Sequence, residues 1–444
     1  MTKLLHEIRD PIHVFVRLDS QEREVLNSRP VQRLRNIHQL AMTYEVYPGA
    51  THKRFEHSLG VMELASRVFD VVTNTDNIFH AHIRDMIPKE PLRLLYWRKV
   101  LRMAALCHDV GHLPFSHAGE KKLLPARWSH ERMTHAIIHS KEMKEIWSHM
   151  EPPLTPEHIS RLALGVKEYK AIDPKVEFDV WQTVLSEIIT GDSFGVDRMD
   201  YLLRDSRHSG VVYGVFDHNR LIDCLRLIPK EDGSDDPSLG VEEGGLQSAV
   251  ALGLARYFMF DQLYFHHVRR SYDLHLVDFL KAWLGKVRGQ EKFPIDVDGF
   301  IGFTDNEVST ALRKAAARKG SPGHDAARRI IHREHFRRLY RPTKADRDAS
   351  PDQDPGERVF RAAKKKFGAR NVRRDFLAPK GGGTRFPVLM YDGRIEASVN
   401  QSEALERIVP IGVDYVFVSP EIRDQAVSWL EQNREKIIKN EEGE

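Results

Sequence analysis

The chain has 444 residues, 41% of them hydrophobic and 30% charged, with a formal net charge of +3. That length and balance describe a globular protein with a large core and room for more than one folding unit, and so small a net charge argues against a protein whose main task is wrapping nucleic acid. Two cysteines, Cys107 and Cys224, exclude a disulfide framework; no signal peptide in "MTKLLHEIRDP" and no apolar run of bilayer length complete the expectation of a reducing, cytoplasmic compartment and no membrane span.

In chain order, "IRDPIHVFVRL" alternates and is β-branched, which predicts a short strand pair. "VQRLRNIHQL" carries Val31, Leu34, Ile37 and Leu40 at three-residue spacing, and "SLGVMELASRVFDVV" places Val61, Leu64, Ala65, Val68 and Val72 on one helical face. "WRKVLRMAALC" ends in a nearly continuous apolar run and reads as a buried helix. "DRMDYLLRDS" and "LARYFMFDQLYFHHVRRSYDLHLVDFLKAW" are also helical, so most of the chain to about Tyr340 is expected as helix. Arg341–Glu357 is rich in Pro, Asp and Gly and reads as a linker. Beyond it, "RVFRAAKKKFG" is a helix stopping at Gly368. "NVRRDFL", "FPVLMYDGRIEASV" and "VDYVFVS" are strands, and "PEIRDQAVSWLEQNREKII" is a closing helix with Pro420 near its start. The predicted organisation is a helical unit over 1–340, a linker over 341–357 and a small α+β domain over 358–444. "KGGGT" (Lys380–Thr384) lacks the spacing of a phosphate-cradling loop and reads as a turn.

The chemistry concentrates in "ALCHDVGHLPFSH", Ala105–His117. A His-Asp pair proves little alone, since a second one, His324–Asp325, lies in "KGSPGHDAARR" without metal partners nearby and reads as surface loop. His108–Asp109 differs because a buried helix stands behind it, and a charged pair there needs partners. A divalent cation would neutralise Asp109 and take the imidazole lone pair of His108. Neighbouring helical residues point about 100° apart, so both reach one ion only at a helix end or a bend, which Gly111 and Pro114 supply. Further ligands must come from elsewhere. "RFEHSLGV" offers His57, and "GVDRMDYLLRD" offers Asp197, Asp200 and Asp205. Asp197 and Asp205 share a helical face; Asp200 borders it, and a purely structural role for it stays open.

His57, His108–Asp109 and Asp197 spell the H…HD…D signature of the HD-domain metal-dependent phosphohydrolases. The blocks "DPIH", "QRLRNIHQL", "YPGATHKRFEHSLGV", "HDVGHLPFSHAGE", "WSHE" and "GVDRMDYLLRDSRHSGV" follow in the order, and at spacings similar to those, of the deoxynucleoside triphosphate triphosphohydrolase branch. Over roughly Leu5 to Tyr340 the chain resembles that branch. The resemblance implies a mainly α fold, a helical HD core with a short N-terminal β element and a small C-terminal α+β unit. It implies hydrolysis of a dNTP to deoxynucleoside and triphosphate around a divalent ion (Mn, Mg, Fe, Zn or Ni) held by His57, His108, Asp109 and Asp197. It assigns catalysis to His112, His117 and His130. Of these, His117 would give the proton to the leaving 5′-oxygen, oriented by Glu120 and by His130 with Glu131. Arg54 and Arg198 would contact phosphates, and Gln39 and Leu40 would line the sugar. Tyr201 would pack where a ribose 2′-hydroxyl projects, and Asp205 would bind the 3′-hydroxyl. Tyr264 or Tyr272 as a stacking base partner, with His266 or His267, stays open beside their reading as helix core and face residues.

Several relatives need a nucleotide activator at a subunit interface, and Arg35 and Arg220 match two basic residues of such a site. Asn27 stands where an acidic residue recognises guanine, and His6 and Arg9 stand at its N-terminal edge. Leu113 replaces a common glycine. The resemblance also implies a homo-oligomer, often a tetramer. Arg313–Arg341 is strongly basic and reads as a solvated helix face, with single-stranded nucleic acid as the minority partner. Two other functions stay open: an HD phosphohydrolase acting on a monophosphate, cyclic nucleotide or other phosphoester, and a non-catalytic nucleotide-sensing or nucleic-acid-binding scaffold.

Overall fold

The computed structural model describes residues 5–230, 236–350, 353–379 and 383–439, with every side chain but that of His117. The chain divides into two compact units. The first comprises Met1–Met259, Pro294–Asn306 and Gly382–Val409; the second comprises Phe260–Phe293, Glu307–Gly381 and Pro410–Glu444.

The first unit opens with the predicted strand pair, Leu5–Asp10 against Val14–Asp19, antiparallel with Asp10 opposite Val14. Asp10 Oδ1 closes the turn by accepting from the backbone N–H groups of Ile12 and His13 at 2.8 and 2.9 Å. The Arg54–Val72 helix buries its apolar face, Val61, Leu64, Ala65, Val68 and Val72. It packs on Pro91–Cys107, which starts at a proline and is buried from Val100 to Cys107. The Val196–Ser209 helix packs against the Arg54 helix at Gly60, where a Cβ would stand 1.9 Å from Asp200 Oδ1 and 2.4 Å from Arg204 Nη2. Only glycine permits that approach. Val31, Leu34, Ile37 and Leu40 are all buried, yet not on one helix. Helix ends at Arg33 and a single turn at Asn36, after which His38 leaves to pair with Lys53 and to donate its N–H to Asp305 at 2.7 Å.

Two corrections concern strands. Leu225–Pro229 and Pro237–Glu242 form an antiparallel pair inside the stretch expected as helix. Pro387–Leu389 then runs parallel to Pro237–Glu242 and antiparallel to Ile395–Ala397. The strands of "FPVLMYDGRIEASV" therefore belong to the first unit. Two three-residue strands make no stable sheet alone, and the open edge of Pro237–Glu242 supplies the partner that buries Val388 and Leu389.

In the second unit, Val413–Val418 lies between Arg337–Tyr340 and Val372–Leu377, antiparallel to both. The helices Pro355–Phe367 and Arg423–Lys439 cover it, burying Val359, Ala363, Val372, Val416, Val418, Ala426 and Leu430. The first ends before Gly368, where the sequence places its stop. Arg341–Glu357 is not a spacer between units. It lies within the second and contains the helix Lys344–Asp348, whose start Thr343 and Asp346 cap reciprocally while Arg434 holds Asp346 at 2.7 Å. His324–Asp325 opens the helix His324–Ile331 rather than a loop. Lys380–Gly382 of "KGGGT" lies outside the described residues. Among the described residues, no helix is long and apolar enough to cross a membrane.

Candidate active site

The buried Pro91–Cys107 helix ends at His108, and the following turn swings Asp109 back beside it. Gly111 permits the turn to pack on the start of the His130–Ile138 helix, since a Cβ there would lie 2.1 Å from the His130 carbonyl oxygen. The bend continues through Phe115 and Ser116, both left-handed at φ 56° and 57°. Phe115 is held there by donating its N–H to Asp305 at 2.7 Å. That is a costly backbone for a buried aromatic residue, and such outliers concentrate at functional sites.

Three elements bring the predicted ligands together. His57 comes from the second turn of the Arg54 helix, His108 and Asp109 from the bend, and Asp197 from the first turn of the Val196 helix. One ligand atom each of His57, His108 and Asp197 lies within 4.8 Å of the others. His57 Nε2 is 3.0 Å from Asp197 Oδ1 and 3.7 Å from Asp109 Oδ2. His108 Nε2 is 3.4 Å from Asp109 Oδ1 and 3.5 Å from Asp197 Oδ1.

Hydrogen bonds outside the group orient both imidazoles. His57 Nδ1–H donates to Asp200 Oδ2 and His108 Nδ1–H to the Ala105 carbonyl, each at 2.8 Å. Both Nε2 atoms therefore face the shared space, the orientation metal-ligating histidines adopt. Among the described residues, His108 Nε2 is buried and makes no hydrogen bond within ordinary distance. Two imidazole nitrogens with carboxylate oxygens suit a divalent cation, so the group could hold one.

The protonation of the group points the same way. Burial pushes His57 down, but hydrogen bonds to Asp197 and Asp200 and the charges of Asp200 and Asp109 more than offset it, raising its pKa to about 10. His108 is raised against burial by Asp109 and Asp197. Asp109 is favoured by burial to go up, yet Arg54, His108 and His112 hold it well below the carboxylate range. Asp197 is lowered in the same way by His108 and His57. The carboxylates stay ionised and demand positive charge among them.

Beside this group, His112 Nε2 lies 3.1 Å from Asp109 Oδ1, and its ring stacks on that of His130 with centroids 4.0 Å apart. His130 stands between two carboxylates, Nδ1 at 2.8 Å from Glu120 and Nε2 at 3.3 Å from Glu131. The side chain of His117 lies outside those described. Arg54 pairs with Asp109 and donates to Ser116 Oγ at 2.8 Å. Gln39 and Leu40 are buried, and Gln39 Oε1 has no hydrogen-bond partner among the described residues. Asp205 is buried and bonded by His52 Nε2 at 2.7 Å. Arg198 donates to the Gly191 carbonyl at 3.2 Å and lines a small pocket with Asp192 and Arg256, where Arg198 and Tyr201 also interact.

The other predicted contacts are less concentrated. His6, Asn27 and Arg35 line one cavity of about 320 Å³ in the first unit. Arg9 stacks over Phe15, and Arg220 donates to the Gly244 carbonyl at 3.3 Å. Tyr264, Tyr272, His266 and His267 belong to the second unit, where Tyr272 is fully buried against His335. In the basic segment, Arg328 pairs with Glu334, Arg329 with Glu421 and Arg341 with Asp261, while Arg313, Lys314, Arg318 and Lys319 are exposed.

Sequence reasoning missed the groups behind the candidate ligands. Asp200 turns out to orient His57, His13 and Arg204 bond Asp200, and Asp10 bonds Arg204. His52 grips Asp205, and Asp305 ties His38 to the bend. The signal was present in "DPIH" and in the Asp200–Arg204 spacing of four, but no one-dimensional pattern says that they meet.

A helical core that draws His, His, Asp and Asp from three separate elements onto one buried space is the architecture of a metal-dependent phosphohydrolase. Residues 54–204 match the HD domain model, and residues 216–365 match the HD associated region; the chain belongs to the HD-domain phosphohydrolase family. A solved structure of a hypothetical protein from Aquifex aeolicus is similar over 96% of this chain and 100% of that one, with a TM-score of 0.75 and 32% identity. An uncharacterized protein of Methanocaldococcus jannaschii is 35% identical over 266 residues, 60% of this chain and 47% of its own length. The human deoxynucleoside triphosphate triphosphohydrolase SAMHD1 is 28% identical over 366 residues, 75% of this chain and 54% of its own. The chain spans about half the length of the curated relatives it matches.

Proposed function

We propose that the protein hydrolyses deoxynucleoside triphosphates to deoxynucleoside and inorganic triphosphate. The observation that carries this reading is the convergence of His57, His108, Asp109 and Asp197, with His112 and His130 stacked beside them. Similarity to SAMHD1 over three quarters of the chain supports the substrate class. His57, His108, Asp109 and Asp197 would hold a divalent cation, which when bound would neutralise phosphate oxygens and lower the pKa of a water toward neutrality.

The chain's own residues do the rest. Arg54, already against Asp109, presents fixed positive charge for the triphosphate, and Arg198 adds a second guanidinium. Water oxygen bonds to the α-phosphorus, the bond from that phosphorus to the 5′-oxygen breaks, His117 delivers a proton to the departing oxygen, and the proton released by the attacking water restores it. Glu120 and Glu131 keep His130 charged beside this step. Gln39, Leu40 and Tyr201 wall the sugar so that a 2′-hydroxyl finds neither room nor a partner, and Asp205, steadied by His52, receives the 3′-hydroxyl. Arg35 and Arg220 contribute to an activator site between subunits of a homo-oligomer.

Incubating the full chain with each dNTP and Mn²⁺ or Mg²⁺ tests this directly. Triphosphate is the expected product, with turnover at least about 10³-fold lower in Asp197→Ala. Turnover of ribonucleotides or monophosphates alone refutes it. A second reading, a different phosphoester at the same centre, is favoured by Arg198, which is bonded to Gly191 rather than to the ligand group. A phosphoester panel separates the two.

A further inference from the structure

The turn of the N-terminal hairpin reaches the ligand helix through buried polar groups. Asp200 is fully buried, and its carboxylate accepts four hydrogen bonds. Oδ2 accepts from His57 Nδ1 and Arg204 Nε, both at 2.8 Å. Oδ1 accepts from His13 Nε2 at 2.7 Å and Arg204 Nη2 at 2.9 Å. Arg204 is in turn fixed by Asp10, whose Oδ2 accepts from Nη1 at 2.9 Å. Asp10 Oδ1 holds the turn that carries His13, through the N–H groups of Ile12 and His13. The His13 side chain is 1% exposed. Gly60 makes room for the carboxylate.

A carboxylate with both oxygens occupied in two directions has no freedom to rotate. It therefore fixes the plane of the His57 ring and keeps the proton on Nδ1. His57 depends for its geometry on His13 and Asp10 of the hairpin turn, about 45 positions upstream, through Asp200 and Arg204.

We propose that His13 and Asp10 are positioning residues of the metal centre, acting through Asp200 on the orientation and tautomer of His57. This rests on the reading of His57 as a ligand. It makes the hairpin a working part of the site: its turn supplies one of the donors that hold the ligand still. Loss of a partner bonded directly to a ligand, as Asp200 is to His57, weakens metal binding roughly 10–100-fold in comparable sites, and a donor behind it is expected toward the low end of that range.

The test uses the full chain and reads the Mn²⁺ dissociation constant from the electron paramagnetic resonance of free Mn²⁺, together with the melting temperature in EDTA. Gln at position 13 can place an amide N–H where the ring Nε2 stands; Asn ends near Nδ1 and cannot reach Asp200. His13→Asn is expected to weaken Mn²⁺ binding roughly tenfold or more and His13→Gln to restore most of it, while both melt alike in EDTA. Wild-type affinity in His13→Asn overturns the proposal, as does equal weakening in both variants. Asp197→Ala separates the two readings: if it too binds Mn²⁺ like wild type, the ligand assignment itself falls. If His13→Asn does not fold, Asp10→Asn replaces it. That change keeps the acceptor of the turn but sets an amide N–H against Arg204, and wild-type Mn²⁺ affinity there overturns the proposal equally.

Discussion

His130 illustrates how single side chains are tuned here. Burial pushes its pKa down, while the hydrogen bond to Glu120 and the charges of Glu120, Glu131 and Asp109 more than offset that, so the ring stays protonated above the usual imidazole range. The sign follows. A raised folded-state pKa stabilises the protein fully below the unfolded value near 6.5, and that contribution fades as pH climbs through the folded value. If the charged ring serves catalysis, the basic limb of kcat against pH lies above 6.5, and Glu120→Gln moves it to lower pH. An unmoved limb would show that Glu120 does not set the charge of His130. At this scale the sequence was informative about donors: His57, His108, Asp109 and Asp197 were all legible from residue type and context. It was silent on tautomers, because these depend on Asp200 and the Ala105 carbonyl, contacts that only folding creates.

Helices meet the site at two glycines, and that is where element packing decides function. At Gly60 the Arg54 and Val196 helices approach until a methyl group would overlap Asp200 and Arg204. Gly60→Ala must therefore push the helices apart or displace the carboxylate, and overpacking of this kind costs about 1–3 kcal/mol. Denaturant unfolding is expected to show that loss, accompanied by weaker Mn²⁺ binding because Asp200 supports His57. Unchanged stability would mean that the helices yield freely there. The period of the apolar residues foretold the Arg54–Val72 and Pro91–Cys107 helices well. It misled at Leu34–Leu40, where buried residues at three-residue spacing occupy a turn and an extended segment bound by His38 and Asp305. It also passed over Leu225–Pro229 and Pro237–Glu242, short apolar runs that become strands only by pairing with each other and with Pro387–Leu389.

The two units exchange chain segments, so neither corresponds to a stretch of sequence. A chain ending at Tyr340 loses Pro387–Leu389 and Ile395–Ala397 from the first unit's sheet, and in the second unit's sheet Arg337–Tyr340 loses its one neighbour, Val413–Val418. Such a chain is expected to be rapidly degraded in limited proteolysis and to lack a cooperative melt; a sharp transition matching that of the full chain would refute the interleaving. By itself the sequence determined the local and chemical part of this protein: the candidate ligand types, the long amphipathic helices, the bend after a buried helix, and the N-terminal strand pair. These follow from side-chain chemistry and from periodicities within a few residues. Only the tertiary structure decided which strands share a sheet, that Lys344–Asp348 is a capped helix rather than part of a spacer, and that His13 stands behind the candidate ligand His57 of the Arg54 helix. Hydrogen bonding between distant segments and the closeness allowed at Gly60 made those choices, and neither leaves a local trace in the order of residues.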